Sequence, residues 1–282
     1  MTVYKLKKDL ENTISEVKKN NQSIGLVPTM GALHKGHISL VKQALAQNDV
    51  VIVSIFVNPT QFDKQEDLKK YPRTLEADTK LLKSASDKIL VFAPSAKDIY
   101  DSDIKSVDFS FDGLEFEMEG KFRDGHFDGV GTIVKRLLEI VRPDHAYFGE
   151  KDFQQLQIIR KLVKTYQIPV NIVGCKIERE TTGLAMSSRN TRLKPEYRKA
   201  APFIFKILKA AKVKFGTKSA NEVVKWVKKQ FAAHPLLKLE YCIIADVNDL
   251  KPVKRKSNKK TCRAFIAVYA GDIRLIDNIA LN

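Results

Sequence analysis

A short apolar strand that turns through glycine into a helix carrying two histidines most constrains how this chain folds. The run Ile24–Val27 is followed by Pro28 and Gly31, which predicts a buried strand that ends in a tight turn. Apolar residues then recur at helical spacing, at Ile38, Leu40, Val41, Ala44 and Leu45. The pattern therefore predicts a strand, a glycine-containing loop and a helix, a unit typical of open α/β sheets.

The two histidines occupy a position that suits phosphate chemistry. Backbone N–H groups and the positive end of the helix dipole converge at a helix N-terminus. His34 and His37 are three residues apart and therefore lie on one side of the first turn, while Gly36 lets a flat base or ribose approach the backbone. The alternative is a pair of surface histidines at a helix cap. The H-x-G-H spacing within a strand–loop–helix unit favours phosphate binding.

Three strings resemble the pantothenate synthetase family, whose members are pantoate–β-alanine ligases of the nucleotidyl-transferase superfamily. Pro28–His37 resembles the adenylate-forming signature of that family, and Tyr147–Leu156 and Met186–Arg189 match two further motifs. The resemblance covers nearly the whole chain. It implies an ATP-dependent condensation of (R)-pantoate with β-alanine through a pantoyl adenylate, with release of AMP and pyrophosphate.

Charge and periodicity indicate two domains. Residues 1–175 contain 25 Lys+Arg and 24 Asp+Glu, whereas residues 176–282 contain 24 and 9. We therefore predict a Rossmann-like doubly wound, mostly parallel α/β domain over 1–176 and a smaller basic α+β domain over 177–282. The resemblance assigns ATP and pantoate binding to the first domain and a lid role to the second.

Several elements outside the motifs are predicted from periodicity alone. A short strand is expected over Ser106–Phe111 and an amphipathic helix over Glu196–Lys214. The remaining expected elements are helices over Lys7–Asn20, Val130–Val141 and Asn221–Ala233, and strands over Val3–Leu6, Asp49–Phe56, Lys88–Phe92, His145–Phe148, Val170–Val173, Leu239–Val247, Thr261–Ala270 and Ile273–Asn278.

The resemblance implies roles for individual residues. The catalytic group is His34, His37, Lys151, Ser187, Ser188 and Arg189. ATP binding is implied for Pro28, Met30, Gly31, His34, Gly36, His37, Gly149, Glu150, Lys151, Asp152, Glu178, Met186, Ser187, Ser188 and Arg189. Pantoate or β-alanine binding is implied for Met30, Gln61 and Gln155.

The residue types themselves agree with these roles but leave simpler alternatives open. Lys151 follows a second strand–glycine–helix turn and can place a compact charge on a phosphate; otherwise it is a solvated lysine at an acid-capped helix start. Hydroxyls at Ser187 and Ser188 beside Arg189 can close on a triphosphate; otherwise one serine caps a helix and the arginine is surface charge.

Uncharged amides follow the second buried strand. Asn58 and Gln61 suit a substrate with hydroxyls and a carboxylate, although an Asn-Pro turn explains Asn58 as well. Arg123 and His126 are candidates for the rim of the pocket or for a structural role in their loop.

Three positions depart from the family pattern. Asp78 matches a position whose acid helps to hold magnesium on the ATP phosphates, and its neighbour Ala77 stands where an acid is common. The resemblance therefore implies that Asp78 is a metal ligand, and the alternative is a solvated helix face. Asp124 replaces the usual proline, and Glu178 stands near the adenine in place of an apolar residue. The implied cofactors are ATP, as substrate, and Mg²⁺.

Two other functions are compatible with parts of the sequence. A nucleotidyltransferase that keeps the nucleotide in its product shares the H-x-G-H motif, and a basic RNA-binding protein fits the charge. The cluster Lys251–Lys260 lacks interleaved aromatic residues, which favours a solvated loop over an RNA surface, so no specific nucleic-acid partner is expected. Few, widely spaced cysteines and the lack of a long apolar run predict a cytoplasmic protein without membrane contact. The resemblance implies a homodimer.

Overall fold

The computed structural model describes residues 1–62, 65–101, 103–254, 257 and 259–282. This part of the chain divides into two compact units. The first comprises Met1–Glu150 and Gln154–Lys176, and the second comprises Lys151–Phe153 and Ile177–Asn282.

The first unit is built from strands that alternate with helices. Its strands are β1 (Thr2–Tyr4), β2 (Ile24–Thr29), β3 (Val50–Ile55), β4 (Ile89–Phe92), β5 (His145–Gly149) and β6 (Asn171–Cys175). Its helices are α1 (Lys7–Lys19), α2 (Lys35–Gln47), α3 (Gln65–Lys70), α4 (Leu75–Lys83), α5 (Ala96–Tyr100), α6 (His126–Val141) and α7 (Phe153–Thr165), whose first residue falls in the second unit. This is the doubly wound α/β architecture that the sequence predicts.

The strand order creates a binding edge. All pairings are parallel and the order is β1-β4-β3-β2-β5-β6. From β2 the chain continues to β3 and β4 on one side, whereas from β5 it continues to β6 on the other side. The direction of strand addition therefore reverses between β2 and β5. Ligands of open α/β sheets bind outside the carboxyl ends of strands at such a reversal. The loops that leave β2, β3 and β5 share this edge of the sheet.

Both faces of the sheet are covered. Val51, Ile52 and Val53 are fully buried in succession, and side chains alternate between faces along a strand. On one face the strands pack against Leu40, Val41 and Ala44 of α2. Continuous burial explains why β3 reads as an uninterrupted apolar run rather than an alternating one.

The strand β2 runs further than the sequence predicts. Pro28 was expected to end it, yet Pro28 pairs with Ser54 of β3 and the strand continues to Thr29. On the other side, pairing with β5 stops at Leu26. The missing N–H of Pro28 therefore costs no ladder hydrogen bond, because that side of β2 has no partner strand at this point.

The strand predicted over Ser106–Phe111 is wrong. This segment has no ladder, and its backbone N–H groups donate to side chains instead. Val107 N donates to Thr132 Oγ1 at 2.8 Å and Phe109 N donates to Asp128 Oδ1 at 2.9 Å. The segment alternates apolar and polar residues as a strand does. Side chains of α6 take the place of a partner strand as acceptors, so the segment joins no sheet.

The second unit has an antiparallel sheet of three strands in the order β7-β8-β9. The strands are β7 (Leu237–Asp246), β8 (Cys262–Ala270) and β9 (Ile273–Ala280), and the helices are α8 (Pro195–Ala200), α9 (Phe203–Phe215) and α10 (Ala220–Ala232). Buried residues of α9 and α10 form one core with the sheet. The unit is the smaller α+β structure that the sequence predicts.

The helix predicted over Glu196–Lys214 is two helices. The first ends at Ala200 and the second begins at Phe203, with Pro202 between them. Proline lacks the N–H needed inside a helix and its ring clashes with the preceding turn, so the helix breaks there.

Two further findings concern the cysteines and the helices. Cys175, Cys242 and Cys262 are buried free thiols, and burial raises the pKa of Cys175 to about 11 and that of Cys242 to about 12. Within the described residues, no helix combines the length and the apolar character needed to cross a bilayer.

Candidate active site

Two histidines build the N-terminal cap of α2. His34 is the N-cap residue, and its Nδ1 accepts a hydrogen bond from Gly36 N at 3.1 Å. His37 Nδ1 accepts from His34 N at 3.2 Å. The rings are tilted to each other with centroids 4.0 Å apart. The predicted placement of both rings on the first turn is confirmed, and the pair forms a capping box made of imidazoles.

The cap fixes the tautomer of each neutral ring. A backbone N–H can only donate, so Nδ1 of His34 and of His37 must be an acceptor without a proton. The proton of a neutral imidazole then resides on Nε2. Each ring therefore combines a structural acceptor with an Nε2–H donor at the start of a helix, where anions are favoured.

A buried carboxylate holds the loop that leads to these histidines. Asp78 of α4 is 2% exposed and accepts hydrogen bonds from Ala32 N at 3.0 Å and from Leu33 N at 2.7 Å. Thr74 is the N-cap residue of α4 and donates its hydroxyl to Asp78 Oδ2 at 3.2 Å. The alternative of a solvated helix face at Asp78 is therefore wrong.

The same contacts bear on magnesium. Two backbone N–H groups and one hydroxyl already donate to the oxygens of Asp78. No group of three His, Cys, Asp or Glu side chains able to hold a metal occurs among the described residues. The donors around Asp78 fit a residue that holds a loop. Its assignment as a metal ligand stays a prediction.

A buried network surrounds Gln61 in the loop after β3. Gln61 is 8% exposed, and its Nε2 lies 3.0 Å from Met30 Sδ. Asn58 is 1% exposed and donates to Gln61 Oε1 at 3.3 Å and to Gly129 O at 3.1 Å. Tyr100 donates its hydroxyl to Asn58 Oδ1 at 2.6 Å, and burial raises the pKa of Tyr100. Met30 and Gln61, both predicted to bind pantoate, are thus in contact.

Arg123 and His126 fix the backbone of Gln61 from the other side. His126 Nδ1 lies 2.9 Å from Gln61 O, which can only accept, so this ring carries its proton on Nδ1. Arg123 Nη1 lies 3.0 Å from His126 Nε2. These contacts give both residues the structural role that the sequence left open.

Close approach of α6 to this loop depends on a glycine. A Cβ at Gly129 would meet Thr60 O at 2.3 Å and Gln61 Cα at 2.6 Å. Any side chain there would push the helix away from the loop and release Gln61 from its partners.

The other residues predicted in the first unit lie along the same edge of the sheet. Gln155 is half-buried in the first turn of α7. Apart from Gly149 itself and its two chain neighbours, no described residue has an atom within 4 Å of the position that a Cβ would take at Gly149, which ends β5. Besides His34 and His37, the predicted ATP residues of this unit are Pro28 in β2, Met30 and Gly31 in the following loop, Gly36 in α2, Gly149 at the end of β5 and Glu150 directly after it.

In the second unit, Lys151 and Asp152 form a short 3-10 turn after β5 with Glu150 of the first unit. The Lys151 side chain is 17% exposed, and its Nζ lies 3.8 Å from Asp152 Oδ2, whose side chain is 50% exposed. The lysine is therefore largely buried next to a carboxylate, which contradicts the alternative of a solvated lysine.

The serine loop, Met186–Arg189, follows a small hairpin that is closed by the antiparallel bridge between Arg179 and Ala185. Glu178 is exposed, and its carbonyl accepts from Met186 N at 3.0 Å. Ser187 caps the following 3-10 turn by accepting from Arg189 N at 3.3 Å. The N-cap predicted as an alternative for Ser187 is thus confirmed as local structure, and the hydroxyl keeps its own proton for donation. Ser188 is half-buried and Arg189 exposed.

The basic loop joins two strands, as the sequence predicts. Lys251, Lys254, Lys259 and Lys260 lie between β7 and β8 and are exposed. Lys260 Nζ lies 3.6 Å from Asp246 Oδ2. Arg255, Lys256 and Asn258 of this cluster lie outside the described residues.

Comparison with known proteins identifies the family. A family profile described as pantoate-beta-alanine ligase matches residues 2–280. The chain belongs to the pantoate–β-alanine ligase family. It is an ATP-dependent ligase that condenses (R)-pantoate with β-alanine through a pantoyl adenylate and releases AMP and pyrophosphate.

Relatives agree over the full length. Pantothenate synthetases of Flavobacterium psychrophilum and Christiangramia forsetii are 55% and 57% identical over 282 residues, with all of each chain covered. The structure of pantothenate synthetase from Thermus thermophilus matches at a TM-score of 0.91 with 38% identity, covering 100% of this chain and 99% of that one.

A second solved structure carries ligands. Pantoate-beta-alanine ligase from Francisella tularensis, complexed with beta-gamma ATP and beta-alanine, matches at a TM-score of 0.80 with 37% identity. The match covers 100% of this chain and 98% of that one.

Proposed function

We propose that the residues described above divide the ligation into binding of pantoate by neutral groups and stabilisation of phosphate charge by donors and cations. The imidazole cap of α2 carries this proposal, because its backbone hydrogen bonds place the proton of each neutral ring on Nε2. A donor held in this way gains most when negative charge grows on its acceptor.

Adenylation is the first step. A carboxylate oxygen of pantoate attacks the α-phosphorus of ATP, a new O–P bond forms, and the bond to the bridging oxygen breaks so that its electron pair leaves with pyrophosphate. His34 and His37 donate to phosphate oxygens as charge develops. Each of Lys151 and Arg189 supplies one positive charge, and each of Ser187 and Ser188 supplies one hydroxyl donor.

Amide formation is the second step. The β-alanine amine attacks the acyl carbon of the adenylate, the C–O bond to phosphate breaks, and AMP leaves while the nitrogen loses a proton. No protein nucleophile takes part. Positioning is therefore the main contribution of the chain here, with Met30, Gln61 and Gln155 holding the pantoyl group.

Nucleotide contacts complete the proposal. Pro28, Met30, Gly31 and Gly36 take part from the loop after β2 and the start of α2. Contacts after β5 come from Gly149, Glu150, Lys151 and Asp152, and those further along the chain from Glu178, Met186, Ser187, Ser188 and Arg189.

Magnesium enters on the nucleotide. Mg²⁺ is commonly held by substrate phosphates, water and one or two carboxylates rather than by a protein cage. The absence of a three-residue ligand group in the described part of the chain fits this mode. We therefore treat MgATP as the substrate.

We also propose that the enzyme works in the cytoplasm as a homodimer. The three buried free thiols suit a reducing compartment, and the dimer follows from the family resemblance. A sedimentation measurement that gives only monomer at micromolar concentration would contradict the dimer.

Pyrophosphate exchange tests the two-step scheme directly. With ATP, Mg²⁺ and pantoate but no β-alanine, labelled pyrophosphate should enter ATP, because adenylate formation is reversible. Omitting pantoate is the control and should abolish the exchange. Failure of exchange under conditions that support full turnover would contradict a reversible adenylation.

A further inference from the structure

Strand β9 carries two adjacent polar residues that are both buried, at a place where the sequence analysis assigned no function. Asp277 is 5% exposed and Asn278 is 2% exposed. Burying such groups is costly unless each is hydrogen-bonded. Their partners lead to two segments that the proposed function uses.

Asn278 holds the segment that contains Lys151. Its Nδ2 donates to Lys151 O at 2.9 Å, and its Oδ1 accepts from the guanidinium of Arg263. That guanidinium lies over the ring of Phe153, 4.1 Å from its centroid. The backbone at Lys151 and the ring two residues later are therefore fastened to the sheet by one connected group.

Asp277 holds the hairpin that precedes the serine loop. Arg179 forms a two-point ion pair with it, from Nη1 to Oδ2 at 2.7 Å and from Nη2 to Oδ1 at 2.9 Å. Arg179 Nη1 also donates to Gly183 O at 3.1 Å, and the guanidinium stacks 3.6 Å from the centroid of Phe205. A bidentate pair of this kind fixes orientation as well as position.

The turn of this hairpin requires a glycine. Arg179 pairs with Ala185 in an antiparallel bridge, and Gly183 between them has a φ of +92°. A Cβ at Gly183 would meet Phe205 Cδ1 at 2.9 Å. The residue after this bridge is Met186, the first of the loop Met186–Arg189, so the anchor at Arg179 sets where that loop starts.

We propose that Asp277 and Asn278 form a common anchor on β9 that positions Lys151 and the Met186–Arg189 loop for the adenylation step. The inference rests on the proposed roles of Lys151 and of that loop. Both anchor residues act through others and are therefore positioning residues. The two are linked to each other, since Asn278 N donates to Asp277 Oδ1 at 2.8 Å and Asn278 O accepts from Arg179 Nη2 at 3.4 Å.

The decisive variant is Asn278→Asp, which keeps the shape but replaces the donor to Lys151 O by a carboxylate oxygen. Two acceptors then face each other, and the backbone at Lys151 moves. A displacement of about 1 Å costs about 10²-fold in rate, so single-turnover adenylate formation should fall about 10- to 100-fold. A role confined to stability would lower the melting temperature and leave the rate per folded site unchanged, which would overturn the proposal.

A double-mutant cycle separates the anchor from Lys151 itself. If Asn278 acts through the lysine, Asn278→Asp should change the rate less than about twofold when Lys151→Ala is already present, because coupled residues are non-additive. An equal fold loss in both backgrounds would overturn the anchor proposal alone. Normal rate and ATP affinity in Lys151→Ala would instead overturn the proposed function of the lysine, and the anchor proposal with it.

Two further variants guard against misfolding. Asn278→Ser loses the long-range donor without adding a charge and should give a smaller loss in the same direction, with the same dependence on Lys151. Arg274→Gln on the same strand removes an ion pair with Glu240, whose Oε2 lies 2.6 Å from Arg274 Nη2, and serves as a matched control. It should lower stability while leaving adenylate formation per folded site unchanged, and an equal rate loss there would overturn the proposal.

Discussion

The loop that leaves β2 and the turn that leaves β5 are both strand–glycine–helix units, yet they present different chemistry. The first ends in two imidazoles whose Nδ1 atoms are used by the backbone. The second carries Lys151, a largely buried ammonium next to Asp152. Neutral donors gain mainly as charge develops, whereas a full charge also binds the phosphates of the ground state. The same local fold can therefore serve transition-state stabilisation at one strand end and ATP binding at another.

The largest effect is expected from removing the charge. Lys151→Ala should lower kcat/KM for ATP by about 10³-fold or more, as for other charges on a transferring phosphoryl group, and should also raise the dissociation constant of ATP. Lys164→Ala, on the exposed last turn of α7, is the control and should leave both quantities unchanged. A loss of rate with unaltered ATP affinity would remove the contrast between the two turns.

A smaller effect is expected at the amide that we assign to pantoate. Gln61→Ala removes a hydrogen bond to a charged substrate, which is typically worth about 1.5–3 kcal/mol, so KM for pantoate should rise about 10- to 100-fold. ATP affinity should change much less, because the Gln61 side chain itself is assigned only to pantoate and touches one nucleotide residue, Met30, beside the structural Asn58. The control Gln43→Ala removes a half-buried glutamine of α2. An equal rise in KM for ATP would place Gln61 elsewhere in the reaction.

The smallest effect is expected from the basic loop, although the second unit carries most of the net charge. Neutralising Lys254, Arg255 and Lys256 should leave turnover unchanged, since Lys254 is exposed and the loop lies between β7 and β8. RNA or DNA should bind only in the non-specific range of roughly 10⁻⁴ to 10⁻⁶ M at physiological salt. Submicromolar, sequence-selective binding measured by titration would show that charge in this unit serves nucleic acid.

The sequence predicts most of the fold because the spacing of apolar residues distinguishes the buried strands from the long amphipathic helices. The run at Val50–Ile55 and the stripe of α2 are examples. The error at Ser106–Phe111 arises because side chains distant in sequence accept the backbone hydrogen bonds that a neighbouring strand would otherwise accept. Ser106–Phe111 alternates like a strand, but α6 provides the acceptors for its backbone. The break before α9 had a visible signal in Pro202.

The site is less predictable than the fold because its supports come from distant parts of the chain. Nothing near Asp78 in the sequence indicates that it accepts from Ala32 N and Leu33 N, 46 and 45 residues away. Tyr100 has no local signal either. Adjacent Asp277 and Asn278 do lie directly between Ile276 and Ile279, which was a usable sign of a buried polar pair.

A single-turnover measurement on His37 tests the central contrast most directly. His37→Asn is the sharpest variant, because the asparagine oxygen overlays Nδ1 and can still accept from His34 N while the Nε2–H donor is lost. His37→Ala removes both. The account predicts that each variant forms adenylate about 10²- to 10³-fold more slowly, with ATP affinity changed far less than in Lys151→Ala. Adenylate formation at a near-normal rate in folded His37→Asn enzyme would contradict it, and would leave the histidine as a helix cap.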